Sequence, residues 1–452
     1  MQGCVEAYNT GRKIKFKEFQ PLNGYASNLL NCSVSNNRVG GKMNFKDQLY
    51  KRLEKYVAID TKSDEASKTF PSSKGQLVLG KLLKAELAAI GARSVKMDKY
   101  GYVTAEIPAT VKKKAPVIGF LAHMDTSPAA GGKGVKPRVH RNWRGGDIII
   151  SKKRGIILNT KNCPELAACK GEDIVTASGD TLLGADNKAG LAILMTVGEH
   201  LLKHPEIPHG RLKLGFTPDE EVGQGVKHFN VKAFGADYAY TFDGDVAGAI
   251  EEETFNADGL KILIKGKSVH PGTAKDALAN AARIAADIVS TWPENRLPET
   301  TSGRDGFLMF TGIKGEIEAA EISGIACEHD LAKLKALEKH LEAIVAAKRI
   351  KYPLAEIMLE FREQYRNMGP VIRKYPRVME NLITAVKETG LTPHIKPVRG
   401  GTDGARLSFM GLPTPNVFTG GYNYHGRYEW VSLEGMNKSA EVMINLVRKW
   451  AE

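Results

Sequence analysis

The alternation of short apolar runs with helical segments is the feature of this 452-residue sequence that most restricts its fold. The run PVIGFLAHMDT is apolar until its polar end, as are strands of parallel sheets that are buried on both faces. The segment TLLGADNKAGLAILMTVGEHLL is typical of a turn that enters a helix, and RLKLGFTPDEEVG and ADYAYTFDGD are typical of strands with acidic ends. This alternation predicts an α/β fold with a mostly parallel sheet.

A different pattern occupies residues 254–369. The run LKILIKGKSVHPG alternates strictly, and residues 274–291 and 331–348 are typical of helices. The run GFLMFTGIKGEIEAAEISGIA indicates a hairpin that turns near Lys314, and LAEIMLEF indicates a last strand. The order strand, helix, strand, strand, helix, strand predicts the split βαβ (ferredoxin-like) arrangement.

The length of the chain predicts more than one domain, since one hydrophobic core usually serves about 100–200 residues. The α/β pattern returns from Pro370, so we predict that residues 254–369 are inserted into a main domain formed by residues 43–253 and 370–452. Residues 1–42 are polar and weakly patterned. We expect them to be a disordered N-terminal extension.

Charge and composition exclude several classes of protein. The net charge of +13 is not accompanied by aromatic residues around the basic run Lys112–Lys114, so we expect no nucleic-acid partner. No apolar stretch approaches the roughly 18–20 residues that cross a bilayer, so we expect no membrane partner. The five cysteines are odd in number, form no CxxC pair and follow no secretory signal, which predicts a cytoplasmic protein.

Metal-binding side chains follow four of the predicted strands, and another lies near the C-terminus. Ligands of open α/β sheets gather outside the carboxyl ends of the strands, so these side chains are expected to meet at one edge. Each group alone is more typical of a hydrogen-bonded pair or a turn. Together, crowded carboxylates require a cation, and two imidazoles favour zinc or manganese over calcium. The candidates are His123, Asp125, Asp186, Glu220, Glu221, Asp243 and His425.

Six segments make the sequence similar to a known family, the peptidase T (tripeptide aminopeptidase) family of dinuclear zinc peptidases in the aminoacylase/carboxypeptidase clan. The similarity begins near Met43 and continues to the C-terminus, and six ordered matches are far more specific than one. It implies that the main domain is a zinc-binding catalytic domain and the insert a lid and dimerisation domain. The segments are GFLAHMDTSP, TLLGADNKAG, TPDEEVG, VHPGTAK, RGGTDGARLSFMGLP and FTGGYNYHGRYEWV.

This resemblance implies two zinc ions per subunit. Matched by motif, His123, Asp186 and Asp243 would hold one ion. Asp186, Glu221 and His425 would hold the other, so that Asp186 bridges the two. The pair would activate a bridging water and polarise the peptide carbonyl.

Four further residues receive roles from the same resemblance. Glu220 would be the general base that takes the proton of the water, and Asp125 would orient His123 or the metals. His270 and Asn280 of the inserted domain would reach the active site of the partner subunit in a homodimer. There His270 would help to polarise the scissile carbonyl.

Substrate-binding residues are less constrained by the pattern. Arg399 and the turn ending at Thr402 could bind a peptide carboxylate, although a structural ion pair of Arg399 stays equally open. The chain also departs from the family pattern at two positions. At Asn187 a second Asp is common in the family, and we expect this change to have modest consequences for the metal site. The second position is Cys327, where the family usually has an Arg that binds the substrate's C-terminal carboxylate. Beside Glu328, this loss disfavours a free peptide carboxylate, so we expect altered or weakened tripeptidase activity.

The function implied is that of a zinc-dependent aminopeptidase that removes the N-terminal residue of short, tripeptide-type peptides. One open alternative is a related zinc amidohydrolase or deacylase that acts on N-substituted amino acids. Another is a non-catalytic relative that binds peptides. Glu220 argues against the last, because a binding protein needs no base beside its metals.

Overall fold

The computed structural model describes residues 43–452, and residues 44–452 form one compact unit. The predicted extension, residues 1–42, lies outside the described residues. In the described part of the chain, no helix is both long enough and apolar enough to cross a membrane. The helices are α1 Lys46–Val57, α2 Lys74–Ala89, α3 Ala185–Lys203, α4 Val231–Phe234, α5 Ala281–Thr291, α6 Leu331–Lys351, α7 Gly369–Ile372, α8 Pro376–Glu388, α9 Asp403–Phe409 and α10 Leu433–Ala451.

The strands belong to one large sheet and three smaller ones. In chain order they are β1 Arg93–Met97, β2 Val103–Ile107, β3 Ile118–His123, β4 Arg138–His140, β5 Ile148–Ser151, β6 Ile156–Leu158, β7 Ile174–Thr176, β8 Leu212–Thr217, β9 Tyr238–Gly244, β10 Ala249–Glu253, β11 Asn256–Lys265, β12 Phe307–Gly315, β13 Ala319–Glu328, β14 Glu356–Tyr365, β15 His394–Pro397, β16 Asn416–Phe418, β17 Gly421–Tyr422 and β18 Trp430–Ser432.

The large sheet confirms the predicted α/β fold. Its order is β1-β2-β8-β3-β9-β16-β10-β15, and the central strands β8, β3, β9 and β16 run parallel. All six residues of β3 are buried, as its apolar sequence predicts. Helix α3 packs on β3 and β9, while α1 and α10 pack against α3. The carboxyl ends of β3, β8 and β9 therefore lie side by side at one edge.

The predicted split βαβ arrangement is also present. Its elements follow the order β11, α5, β12, β13, α6, β14, and the strands form an antiparallel sheet in the order β12-β13-β11-β14. Helices α5 and α6 pack on this sheet around a core that includes Ile262, Ile284, Ile322 and Leu341. All of these elements lie within residues 254–369. The exact bounds of the inserted domain stay a prediction.

A second small antiparallel sheet was not apparent in the sequence. Residues 127–180 contain the short strands β4, β5, β6 and β7. Strand β4 pairs with β7, and β7 pairs with β18 of the C-terminal hairpin β17-β18. The rings of Tyr422 and Trp430 stack at 3.9 Å between centroids and hold the ends of the loop that carries His425. Strands of two or three residues are too short to produce a periodic pattern.

Gly190 brings the first turns of α3 close to β9. A Cβ at this position would overlap the carbonyl oxygen of Phe242 and the Oδ1 of Asn187. We expect Gly190→Ala to lower the free energy of unfolding by about 1–3 kcal/mol, because the backbone must move apart. Chemical denaturation measures this change. Gly198→Ala is the matched control, since a Cβ there meets the flexible end of Leu214 at 3.2 Å and alanine favours the helix. Equal destabilisation of both variants would contradict the prediction.

Candidate metal centre

Five of the predicted metal ligands meet at the edge where β3, β8 and β9 end. His123 is the last residue of β3, and Asp243 is the next-to-last residue of β9. Glu221 lies in the short turn after β8, and Asp186 lies at the start of α3. His425 lies in the loop between β17 and β18 with a positive φ of 64°. Residues separated by more than 300 positions therefore form one cluster.

His123, Asp186 and Asp243 form the first group of potential ligands. The Nε2 of His123 lies 3.0 Å from Oδ1 of Asp186 and 3.2 Å from Oδ1 of Asp243. The three ligand atoms lie within 4.8 Å of one another. The imidazole is 2% exposed, so its nitrogen faces the two carboxylates and not the solvent.

Asp186, Glu221 and His425 form the second group. The Nε2 of His425 lies 3.1 Å from Oδ2 of Asp186 and 2.9 Å from Oε2 of Glu221. Asp186 thus presents one oxygen to each group, which is the arrangement a bridging ligand requires. His425 is 49% exposed, so this group lies at the mouth of the site.

Asp125 is fully buried behind His123. Its Oδ1 lies 3.3 Å from Nδ1 of His123, and its two oxygens accept hydrogen bonds from the backbone N–H groups of Glu220 and Glu221 at 3.0 and 3.1 Å. One carboxylate therefore fixes the orientation of the imidazole and also the turn that carries both glutamates.

Glu220 lies beside the first group. Burial raises the pKa of its carboxyl well above the usual range, and the neighbouring Asp243 and Asp403 add to this effect while His123 opposes it. Within residues 43–452, its side chain makes no hydrogen bond or ion pair. The carboxyl group is therefore free to exchange a proton with a group that enters the site.

Glu429 is a residue of this site that the sequence did not single out. Its Oε2 accepts hydrogen bonds from the N–H groups of Leu183 and Gly184, both at 2.7 Å, and its Oε1 accepts one from Asp186 at 3.1 Å. The side chain is 1% exposed. Glu429 thereby holds the turn that presents Asp186. Glu429 lies inside the matched segment YNYHGRYEWV, but nothing in the sequence indicates that its side chain accepts hydrogen bonds from the backbone of residues 183, 184 and 186.

Asp403 and Lys188 are two further buried groups that sequence reasoning missed. The Oδ2 of Asp403 accepts a hydrogen bond from Oγ1 of Thr217 at 2.6 Å, beside the end of β8. The Nζ of Lys188 donates to the carbonyl oxygen of Ile59 at 2.8 Å. Burial lowers the pKa of Lys188 to about 8. Both residues lie inside matched segments, which is the only sequence signal for them.

The crowding of acidic groups dominates the electrostatics of the site. Burial raises the pKa of Glu221 to about 8, and burial also raises the pKa values of Asp403 and Glu429 to about 7. Hydrogen bonds to Asp186 and Glu221 raise the pKa of His425 to about 11. Burial favours the neutral form of Asp186, but hydrogen bonds from the two histidines outweigh this effect and hold its pKa below the usual range. Because so many acidic groups are crowded together, the site favours the binding of a cation at its centre.

The donor set fits a pair of divalent metal ions. Two imidazole nitrogens and three carboxylates are ligands that zinc accepts. The Oε1 of Glu221 is buried and makes no hydrogen bond within the described residues. Such an oxygen is costly unless a cation or donor reaches it. Metal ions must displace the protons that the histidines hold, because only the neutral imidazole is a ligand.

The predicted substrate-binding residues belong to neither ligand group, and each has local partners. His270 is exposed and accepts a hydrogen bond from the N–H of Gly272 at 3.1 Å. Asn280 caps α5, and Thr402 caps α9. The guanidinium of Arg399 donates to backbone oxygens of residues 303 and 305 and lies over the rings of Phe255 and Phe307. These contacts account for Arg399 structurally, and its substrate role stays a prediction.

The two positions that depart from the family pattern are both buried. Cys327 is 3% exposed among Phe255, Phe307 and Tyr365, and burial raises the pKa of its thiol to about 12. A neutral thiol in an aromatic pocket offers no charge to a carboxylate. Asn187 is 1% exposed, and its Oδ1 accepts a hydrogen bond from the N–H of Gly190 at 3.1 Å. Its Nδ2 is buried and has no partner in the described part of the chain.

Comparison with known proteins identifies the class of peptidase to which this chain belongs. Residues 182–449, more than half of the chain, match the model of peptidase family M20/M25/M40. The chain belongs to this family of peptidases.

Solved structures share the fold of this chain. Aminopeptidase PepT from Bacillus cereus has a TM-score of 0.70 at 22% identity, and the match covers 91% of this chain and 100% of that chain. A dinuclear metal-binding peptidase of family M20 from Bacillus subtilis has a TM-score of 0.60 at 14% identity, covering 89% and 98%.

Curated relatives narrow the assignment. Peptidase T from Caldanaerobacter subterraneus subsp. tengcongensis is 46% identical over 405 residues, which cover 90% of this chain and 99% of the relative. Peptidase T from Listeria monocytogenes is 44% identical over 407 residues, with coverage of 90% and 99%. Within M20/M25/M40, this chain is a member of the peptidase T group. The resemblance predicted from its six sequence segments is confirmed.

Proposed function

We propose that this protein is a zinc-dependent aminopeptidase that hydrolyses the N-terminal residue of short, tripeptide-type peptides. The convergence of His123, Asp186, Glu221, Asp243 and His425 in two groups that share Asp186 is the observation that carries the proposal. Membership of the peptidase T group supports a peptide as substrate. The five side chains would hold two zinc ions, with Asp186 common to both.

Zinc, when bound, would acidify a water molecule and polarise the peptide carbonyl. The chain's own residues would move the proton and fix the geometry. Glu220, whose side chain has no hydrogen bond or ion pair among the described residues, would accept the proton of the water and return it to the leaving amine. Asp125 would keep Nε2 of His123 aimed into the site, and Glu429 would keep Asp186 in place.

We further infer that the active form is a cytoplasmic homodimer joined through the inserted domain. Both edge strands of the small sheet expose apolar side chains: Met309 on β12 is 37% exposed, Ile313 is 49% exposed, and Met358 on β14 is 44% exposed. Unpaired edge strands with apolar side chains favour association with another chain. In such a dimer, the exposed His270 and the nearby Asn280 would serve the site of the partner subunit.

A free α-amino group is expected to be required for hydrolysis. Ala-Ala-Ala with an acetylated N-terminus should be cleaved at least about 100-fold more slowly than the free tripeptide, because the blocked amine loses its charge-assisted contacts with the acidic site. Amino-acid release from both peptides, followed with about two metal ions per chain bound, measures the difference. Preferential cleavage of acetylated or carbamoylated amino acids would instead favour the deacylase alternative. Binding of peptides without any cleavage would favour a non-catalytic relative.

A further inference from the structure

Two cavities that both reach His425 are lined by side chains of opposite charge. The first, of about 1000 Å³, is lined by Asp60, Asp64 and Glu65 together with Glu221 and His425. The second, of about 790 Å³, is lined by basic residues and also reaches His425. Lys62 and Ala129 line both cavities, so they meet at the mouth of the metal centre. The basic residues of the second cavity are Lys62, Lys153, Arg154 and Arg427.

The cations of the second cavity are largely free to bind a ligand. All four are exposed. Among residues 43–452, the side chains of Lys62, Lys153 and Arg427 make no hydrogen bond or ion pair. Arg154 donates from Nε to Oδ1 of Asp180 at 2.9 Å. Its two Nη groups make no hydrogen bond within the described residues.

Asp180 shows that these cations converge. The hydrogen bond from Arg154 lowers the pKa of the Asp180 carboxyl, and the charges of Lys153 and Arg427 lower it further. Lys153 and Arg154 lie between β5 and β6, whereas Arg427 follows His425, so the convergence is produced by the fold and not by neighbouring positions in the sequence. The carboxylate of Asp180 therefore already interacts with three of the cations that line this cavity.

We propose that the basic cavity binds a carboxylate of the peptide substrate and makes Lys153 and Arg427 specificity-determining residues. The inference rests on the proposed aminopeptidase function. A short peptide carries a positive charge at its N-terminus and a negative charge at its C-terminus. The acidic cavity suits the first charge and the basic cavity suits the second, with the scissile bond at the metal centre between them.

This inference differs from the expectation based on position 327 alone. The thiol of Cys327 offers no charge to a carboxylate, and that absence predicted weak binding of free tripeptides. The basic cavity supplies cations beside His425, at the mouth of the metal centre. The two views predict opposite results for a C-terminally amidated tripeptide.

The test compares kcat and KM of the wild-type protein and its variants on three peptides. Ala-Ala-Ala and its C-terminal amide differ in the terminal carboxylate, and Ala-Ala-Glu-amide restores a carboxylate on a side chain. We expect Lys153→Gln/Arg427→Gln to raise KM for Ala-Ala-Ala at least about tenfold, because the loss of even one charge-assisted hydrogen bond has that effect, and to leave KM for the amide unchanged. A parallel rise for Ala-Ala-Glu-amide would assign the cavity to acidic side chains as well.

Two further variants separate charge recognition from structural damage. Asp180→Asn removes the competing carboxylate, so KM for Ala-Ala-Ala is expected to fall, opposite in sign to the effect of the double variant. Lys152→Gln is the matched control, because Lys152 is exposed and adjacent to Lys153 but does not line the cavity. Salt at 0.5 M should also reduce the wild-type preference for the free acid, since exposed charges are screened.

The outcomes distinguish this inference from the function on which it rests. The proposed role of the basic cavity would be overturned if the wild-type protein had equal KM values for Ala-Ala-Ala and its amide. It would also be overturned if the double variant had an unchanged KM for the free acid. Either result would leave the aminopeptidase proposal intact. Failure of the wild-type, metal-loaded protein to cleave any of the peptides would overturn both.

Discussion

Glu220→Ala is expected to lower kcat for tripeptide hydrolysis by about 10²–10⁴-fold, the range typical of a missing general base. The carboxylate lies beside the first ligand group but belongs to neither group, so the variant should still bind about two metal ions per chain. Steady-state kinetics together with metal analysis of the same preparation measure both quantities. A lower kcat together with an unchanged metal content is the result expected for the loss of a general base.

Glu380→Ala is the control for this experiment. Glu380 is exposed on α8, and alanine is well tolerated in helices. Its kinetics should match those of the unmodified protein. Full activity of Glu220→Ala would remove the assigned mechanism, and loss of metal from that variant would reassign Glu220 as a ligand.

Asp186→Ala is expected to abolish stable binding at both metal sites, which is the largest effect of any single ligand substitution. Loss of a residue that merely orients a ligand costs about 10–100-fold in metal affinity, so loss of a shared ligand should cost more than about 100-fold at each site. Metal content after dialysis should fall from about two ions per chain to less than one. Peptide hydrolysis should fall with it.

Substitutions of ligands that belong to only one of the two groups provide the comparison for Asp186→Ala. Asp243→Ala and Glu221→Ala each remove a ligand from one group only, so one ion per chain should persist in each. Glu429→Gln should weaken metal binding by about 10–100-fold without abolishing it, because it disturbs only the turn that presents Asp186. Retention of two ions by Asp186→Ala would contradict the shared position of this carboxylate.

Part of the metal centre could be predicted from sequence because His123, Glu221 and Asp243 lie at or just after the ends of clearly apolar strands. His123 ends a fully buried strand, and Asp243 lies at the end of its parallel neighbour. Parallel strands bring such ends together irrespective of loop details. The split βαβ elements were accessible for a similar reason, since strands of nine or ten residues and helices of up to 21 residues show clear periodicity.

Other features depend on contacts that residue types do not encode. Glu429 acts through backbone N–H groups of residues 183, 184 and 186, and any acidic residue in a loop would look the same in sequence. The sheet that joins β4 and β7 to β17 and β18 consists of strands of two or three residues. The basic cavity collects Lys62, Lys153 and Arg427 from three separate parts of the chain. Only the fold brings these groups together.

The distance in sequence between Asp186 and its partners has a consequence for how activity arises during synthesis. His425 lies 239 positions after Asp186, and Glu429 lies 243 positions after it. A growing chain that has already folded its N-terminal strands still lacks one imidazole and the carboxylate that steadies the bridge. The proposed activity would therefore arise only after these positions have been synthesised, and a chain cut short before them would lack part of the ligand set.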